Sequence, residues 1–377
     1  ETLAGLRERV DIDALPRPIQ PARYRLVAGA DDTVVLREDS EIPDMANPLA
    51  RSNLVLTEPE IENVTTHVLP RASADELTYG DDNEVLVTNG NLDRLLDRTT
   101  QRDTVAIGDR LVLEVEATGL YGALLASTGS SAHFGESPSG QPVVDEGVGP
   151  AVLADLLGHH EGVELEVEQT NPGQNREATR LRLDRSSAGD IYLIPDVDGP
   201  TSDGAAIERF YVVVDTRETP PFTAELEDDD RFGVEFAYES PAGEQYDFGG
   251  GVPPKPFDPA EEPTEDGTEH YPYFRSGRET ESVATAFTVE TPSVTYDRAT
   301  VDGDDVVVTG GSAATLSGRT NVAPGSEVTI QLVSDERTPP EVITIDGVTI
   351  ASDGTFSVNA DLSALDPGAD VDVEFYV

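Results

Sequence analysis

Three aspartates near the middle of the chain are spaced like ligands for a hard cation. Asp196 and Asp198 alternate in an Asp-Val-Asp-Gly stretch, and Asp203 follows closely. Carboxylate oxygens on a turn suit Ca²⁺, although the twelve-residue loop with a closing glutamate that defines an EF-hand does not occur here. The stretch therefore leaves two interpretations open: a calcium site formed by Asp196, Asp198 and Asp203, or a solvated Asp-rich turn.

Four consecutive acids, Glu227 to Asp230, raise the same question in another setting. They precede a stretch in which Phe232, Val234 and Phe236 share one face of a predicted strand, and adjacent carboxylates repel each other. We interpret the cluster first as a hydrated loop at the start of a strand, then as a calcium site, and only third as a catalytic site. Because side chains along a linear run diverge, any calcium effect is predicted to depend on Asp196, Asp198 and Asp203 instead.

No residue is predicted to be catalytic. His159 and His160 are adjacent and have no third ligand placed by sequence, and Ser130 to His133 lacks the G-x-S-x-G pattern of a hydrolase nucleophile. The chain also contains no phosphate-binding loop, dinucleotide fingerprint or H-E-x-x-H motif. These observations favour a non-enzymatic protein.

One sequon for N-linked glycosylation occurs in the chain. It is Asn63-Val64-Thr65, and acidic residues Glu60 and Glu62 precede it. In an exported protein such a sequon marks an accessible surface loop. Asn63 is therefore predicted to be a glycosylation site.

The secondary-structure elements that must position these residues are predicted to be mainly strands. Apolar and polar residues alternate with period two over 111–117, 163–168, 328–332, 356–362 and 370–377. One apolar, buried face and one polar, solvent-exposed face are typical of strands in a sandwich. Asp-Gly and Pro-Gly turns separate them, so we predict an all-β fold of tandem immunoglobulin-like β-sandwich domains with a few short helices. Two such helices are predicted, one from Asn91 through Leu95 and one from Pro150 to Leu157.

Shifts in composition divide the chain into three predicted parts. Residues 1–100 form a small or incomplete β-unit with a connecting segment, and residues 101–290 form a large β-sandwich with a Gly/Pro-rich loop at 249–274. Residues 291–377 have the length of one immunoglobulin-like sandwich, which we expect to fold by itself.

The charge of the chain indicates the solvent in which it works. Its 377 residues include 74 acids and 25 bases, only one of which is lysine, for a net charge of −49. Such a surface repels itself in dilute buffer, but in molar salt the Debye length falls to about 3 Å. The acids are dispersed along the strands, so we predict a folded halophilic protein with an acidic surface.

Composition also excludes several classes of partner and site. Nucleic acid is excluded because phosphate binding needs clustered bases. There is no cysteine, so disulfides and thiolate metal sites are excluded, and no apolar stretch reaches the roughly 20 residues of a membrane span. The chain begins at Glu1 without a signal-like segment, which we interpret as a mature or trimmed fragment.

Two segments resemble a known family. The stretch LTEPEIENVTTHVLP together with residues 104–124 resembles the repeated β-domains of haloarchaeal cell-surface and S-layer glycoproteins, and residues 347–377 resemble a terminal immunoglobulin-like module of such proteins. The resemblance implies export, glycosylation and a role in the cell envelope. The Thr-rich stalk and apolar C-terminal anchor of that family do not occur in these 377 residues, so lattice membership is left open.

The leading functional hypothesis is a non-enzymatic structural protein of a halophilic archaeal cell surface. Its expected localisation is extracellular, and its expected partners are other copies of surface proteins or envelope components. No cofactor is expected to be required, and calcium is the one candidate for a bound ion. A secreted adhesin that binds a ligand through the 249–274 loop is the alternative, and a secreted hydrolase is a third, weaker one.

Overall fold

The structure is a computed structural model. It describes residues 23–29, 34–36, 43–45, 47–55, 60–78, 91–120, 153–154, 163–183, 186, 190–197, 208–217, 219, 221–238, 246–247, 268–269, 281–297, 311–334, 341–366 and 370–377. Strands dominate these residues and the helices are short, so the predicted all-β class is confirmed. The immunoglobulin-like topology remains a prediction.

The described elements are numbered along the chain. The strands are β1 (Arg23–Gly29), β2 (Val34–Leu36), β3 (Pro43–Met45), β4 (Pro48–Val55), β5 (Ile61–Leu69), β6 (Thr100–Gln101), β7 (Thr104–Ala106), β8 (Arg110–Ala117), β9 (Val163–Gln169), β10 (Ile191–Val197), β11 (Glu208–Asp215), β12 (Arg231–Tyr238), β13 (Tyr246–Asp247), β14 (Thr268–Glu269), β15 (Glu281–Glu290), β16 (Val294–Tyr296), β17 (Ala314–Thr320), β18 (Glu327–Ser334), β19 (Glu341–Thr349), β20 (Thr355–Ala360) and β21 (Asp372–Tyr376). The helices are α1 (Arg71–Thr78) and α2 (Asn91–Arg98).

The chain divides into two compact units. The first comprises Glu1–Glu60, His159–Val163 and Tyr238–Glu281, and its described strands form three antiparallel pairs, β1 with β4, β2 with β3, and β13 with β14. Side chains such as Leu49 are exposed here, so this unit buries little apolar surface within the described residues.

The second unit contains a five-stranded sheet in the order β10-β11-β8-β5-β6. All four neighbouring pairs are antiparallel. Leu111 and Leu113 on the face of β8 that was predicted to be dry are fully buried, whereas Glu114 and Glu116 lie on the other face. Strand β5 precedes the predicted boundary at residue 101, yet it pairs with β8 along its length.

A second sheet of this unit has four strands in the order β7-β15-β12-β9. We call the five-stranded and the four-stranded sheet together the middle sandwich. Alternation along β12 buries Phe232, Val234 and Phe236. The Phe232 ring stacks on Phe287 of β15 with centroids 5.1 Å apart, and it lies 5.5 Å from the Phe222 ring. All three rings are buried and pack together in the apolar core.

Two short helices cover part of the outer face of the five-stranded sheet. Ala74 of α1 and Leu95 of α2 pack with Val112, Tyr192 and Val213 from three of the strands in one buried cluster. The predicted helix from Asn91 is confirmed as α2; the predicted helix over 150–157 lies outside the described residues except for 153–154. Because the helices cover only one end of this face, its other end is left to polar side chains.

The last strands form a second sandwich, which we call the terminal sandwich. Its sheets have the orders β16-β17-β20 and β19-β18-β21. Leu316 and Phe356 from the first sheet pack with Val328, Ile330 and Val348 from the second. The residues of this core cluster all lie between positions 294 and 375, and independent folding of this part of the chain remains a prediction. No helix in the described parts of the chain has the length and apolarity that a membrane crossing requires.

Candidate functional site

The polar end of the five-stranded sheet brings together side chains from four strands. We call this group the polar ladder. Its members are Asn63, Thr65 and His67 on β5, Glu114 and Glu116 on β8, Arg209 and Tyr211 on β11, and Asp196 on β10. It contains two of the residues predicted from sequence, Asn63 and Asp196.

Strand register explains why these residues meet. Asp196 is the pairing partner of Arg209, Arg209 of Glu116, and Glu116 of Asn63, so one row of residues crosses four strands. Side chains of directly paired residues on antiparallel strands share a face. Residues far apart along the chain thus become neighbours on one surface.

Arg209 is the central cation of the ladder. Its Nε donates to Glu116 Oε1 at 2.9 Å and lies 3.8 Å from Glu114 Oε1, while its Nη1 lies 3.9 Å from Asp196 Oδ2. Burial opposes the charged form of Arg209, but the hydrogen bond to Glu116 and the surrounding acids together raise the pKa of Arg209. Arg209 is therefore an ion-pair partner shared by three carboxylates on neighbouring strands.

Glu114 collects the polar groups of the neighbouring row. Thr65 Oγ1 and Tyr211 Oη each donate to its carboxylate at 3.4 Å, and His67 Nε2 lies 2.8 Å from Glu114 Oε2. Burial, followed by the charges of Glu114 and Asp196, raises the pKa of Tyr211. The phenol therefore stays protonated and acts as a donor.

The contacts of His67 differ from those of a hydrolytic triad. In a triad the acid and the nucleophile lie at opposite nitrogens of the imidazole. Here Thr65 Oγ1 lies 3.1 Å from His67 Nε2, the same nitrogen that contacts Glu114. This geometry gives the threonine hydroxyl no separate base and favours a structural network over nucleophilic catalysis.

Asn63 lies on a strand and not in the surface loop expected from the sequon. It is exposed on β5, and the pairing register with β8 shifts between Ile61 and Asn63. The reason is that Val64, Thr66 and Val68 alternate with it and are buried against the sandwich core. The amide of Asn63 nevertheless faces solvent, beside Thr65 of the same sequon.

The three aspartates predicted to bind calcium divide between described and undescribed residues. Asp196 lies at the end of β10, with a side chain that is 14% exposed and paired with Arg209. Asp198 and Asp203 lie outside the described residues. Among the residues that the structure describes, no three His, Asp or Glu side chains are grouped as metal ligands, so calcium binding remains a prediction.

The acidic run Glu227–Asp230 forms a hydrogen-bonded turn. Asp230 is buried, and its two carboxylate oxygens accept from Gln169 Nε2 at 2.6 Å and from the Glu227 backbone N–H at 2.8 Å. Asp228 accepts from the Thr291 N–H at 2.6 Å, and Glu227 pairs with Arg176 at 2.9 Å. The carboxylates of Glu227, Asp228 and Asp230 thus serve as acceptors for backbone and side-chain donors.

Several members of the ladder, among them His67, Arg209 and Tyr211, were not singled out from the sequence as site residues. Alternation of Asn63, Thr65 and His67 with buried residues is a local signal that indicates a polar strand face. Strand pairing decides which strands lie beside β5, and no local sequence pattern specifies that pairing. The adjacent histidines at 159–160 and the serines at 130–131 lie outside the described residues.

Comparison with known proteins shows similarity to cell-surface glycoproteins of haloarchaea. It is 29% identical over 318 residues to "Cell surface glycoprotein" of Haloferax gibbonsii, covering 83% of this chain and 28% of that protein. It is 26% identical over 341 and 339 residues to "Cell surface glycoprotein 1" and "Cell surface glycoprotein 2" of Haloarcula hispanica, covering 88% of this chain and 30% of each. No family model and no solved structure matches.

The similarity confirms two predictions. The resemblance to haloarchaeal cell-surface glycoproteins and the localisation at the cell surface are both supported by all three relatives. The chain spans less than a third of the length of each of these relatives.

Proposed function

We propose that this chain is a non-enzymatic structural part of a haloarchaeal cell-surface glycoprotein. The observation that carries the proposal is the similarity to proteins named cell surface glycoprotein, which extends over 83–88% of the chain. The β-sandwiches provide rigid modules whose edges and loops contact other copies of surface proteins or envelope components. The hydrogen bonds and ion pairs that join His67, Glu114 and Arg209 support a structural role for the polar ladder.

The acidic surface adapts these modules to concentrated salt. A net charge of −49 is carried in part by exposed strand positions such as Glu164, Glu166 and Glu235. In molar salt, repulsion between such charges is screened beyond about 3 Å. Strong hydration of the carboxylates then keeps the surface soluble while the cores stay apolar.

Asn63 carries an N-linked glycan in this proposal. Its exposure and the neighbouring Thr65 meet the requirement of the sequon. The protein expressed in a haloarchaeal host should show a glycan mass on the peptide that contains Asn63. Thr65→Ala should remove this mass, and Thr65→Ser, which keeps the hydroxyl, should retain it. An unmodified wild-type peptide would contradict this assignment.

Self-association tests the structural role. Light scattering in molar NaCl should show particles larger than a monomer when calcium is added, because divalent cations bridge acidic neighbours. Asp198→Asn should weaken this response, and Asp229→Asn should leave it unchanged. A particle that stays monomeric with calcium and binds a foreign ligand would favour the adhesin alternative and its 249–274 loop.

A further inference from the structure

The middle and terminal sandwiches meet at a buried carboxyl group. Asp109 lies in the turn between β7 and β8 and is 2% exposed. Its Oδ2 accepts a hydrogen bond of 2.7 Å from the backbone N–H of Ala323, in the loop between β17 and β18. The backbone of the turn is held in turn by Thr216, whose Oγ1 donates to Asp109 O at 2.7 Å and accepts from the Gly108 N–H at 3.0 Å.

Further contacts surround this hydrogen bond. Val322 and Ala323 are buried, with exposures of 1% and 0%. Arg102 Nη1 donates to Asn321 O at 3.0 Å, and Asn321 Nδ2 donates to Glu290 Oε2 at 3.1 Å. The β17–β18 loop thus docks against the β6–β7 and β7–β8 turns through a closed, hydrogen-bonded junction.

The ionisable groups around Asp109 do not neutralise it fully. Arg102 is the cation that acts on it, and Glu290 lies at the rim of the same junction. The next residue, Arg110, is paired with Asp215 and, at 3.1 Å, with Asp75. Burial raises the pKa of Asp109 to about 7, against the opposing effects of the Ala323 N–H and Arg102.

We propose that this junction is a proton-dependent latch, in which docking of the terminal sandwich on the middle sandwich favours the neutral form of Asp109. Undocking removes the Ala323 loop and returns the carboxyl group to water, where ionisation is easier. The docked state therefore holds a proton that the undocked state releases. Docking is strongest below the ordinary aspartate range, weakens as the pH rises toward 7, and levels off above it.

The rate of hydrogen exchange at the Ala323 amide measures the opening of the latch directly, because this amide is the donor to Asp109. Exchange is followed by mass spectrometry on the full chain in molar NaCl, for peptides covering 320–326, and is corrected for the intrinsic effect of pH. Protection of this loop should fall by about 100-fold between pH 5 and pH 8, since each pH unit below the raised pKa changes the equilibrium by about tenfold. Ile330, in the terminal core, should show no such change.

Two matched variants separate the latch from general charge effects. Asp109→Asn keeps an acceptor and cannot ionise, so protection of the loop should become independent of pH and exceed the wild-type value at pH 8. Asp103→Asn removes the same charge from an exposed neighbour and should behave like the wild type. A pH-independent wild type, or an Asp109→Asn variant that retains the wild-type profile, would overturn the proposal; circular dichroism verifies that each variant is folded.

Discussion

At the scale of single residues, several acids of this chain act as hydrogen-bond acceptors for the backbone. Asp353 Oδ1 accepts from the Thr355 N–H at 3.0 Å, and Asp361 Oδ1 accepts from the Ser363 N–H at 3.0 Å. Bonds from the side chain and backbone of Thr355 lower the pKa of Asp353, and those from Ser363 lower the pKa of Asp361. A highly acidic composition thus includes residues with defined structural roles.

Asp230 is the clearest residue on which to test this role. Asp230→Asn replaces one acceptor oxygen by an amide that faces a donor, either Gln169 Nε2 or the Glu227 N–H. We expect the free energy of unfolding to fall by about 1–3 kcal/mol, measured by urea unfolding in molar NaCl. Asp229→Asn is the matched control, because its side chain is exposed and asparagine tolerates the positive φ of 64°; its effect should stay within about 0.5 kcal/mol. Equal effects of both variants would contradict the assigned role.

At the scale of elements, close packing of strands constrains the terminal sandwich as much as hydrophobic alternation does. Gly318 of β17 faces the Phe356 ring of β20 and the backbone of β16. A Cβ atom at this position would lie 2.4 Å from Thr295 O and 2.8 Å from Phe356 Cζ. Since the Tyr296 and Phe356 rings also pack edge to face, with centroids 5.8 Å apart, the sheet has no space for a methyl group here.

Gly318→Ala should therefore destabilise the terminal sandwich. The new methyl group must displace β16 or the Phe356 ring, at a cost of about 1–3 kcal/mol. Gly233→Ala in β12 is the matched strand control, because its Cβ would meet only Thr170 Cγ2, at 3.4 Å. Thermal unfolding in molar NaCl should show a lower midpoint for Gly318→Ala and almost none of this shift for Gly233→Ala. Comparable midpoints would show that β16 accommodates the methyl group.

At the scale of the whole molecule, stability depends on the balance between apolar cores and like charge. The described cores are built from many fully buried side chains, such as Leu111, Phe232 and Ile330. The net charge of −49 opposes compaction by self-repulsion. Salt screens all interactions between exposed charges, and at this net charge repulsion dominates them, so the salt concentration should decide which effect prevails.

We therefore predict that the fold is lost on dilution of salt. Far-UV circular dichroism of the whole chain, titrated from molar to millimolar NaCl, should lose its β-sheet signal as the Debye length grows from about 3 Å to tens of ångströms. Matched ionic strength with a different monovalent salt should give a similar profile if screening is the cause. A full β-sheet signal in dilute buffer would contradict the halophilic interpretation.

Local patterns in the sequence were sufficient for the class of the fold. Period-two alternation determined that β8, β9 and β18 have one apolar face, because it depends only on neighbours along the chain. Composition predicted an acidic surface in the same way, and short motifs together with two resembling segments indicated a haloarchaeal surface protein.

Only the tertiary structure decided which residues meet. The pairing of β5, β8, β11 and β10 placed Asn63 and Asp196 in one row, and it moved the sequon from an expected loop onto a strand. The docking of the β17–β18 loop buried Asp109, which has no distinguishing sequence context. The physical reason is that strand pairing and domain docking join residues distant in the chain, so the free energy of a carboxyl group depends on neighbours that no local pattern specifies.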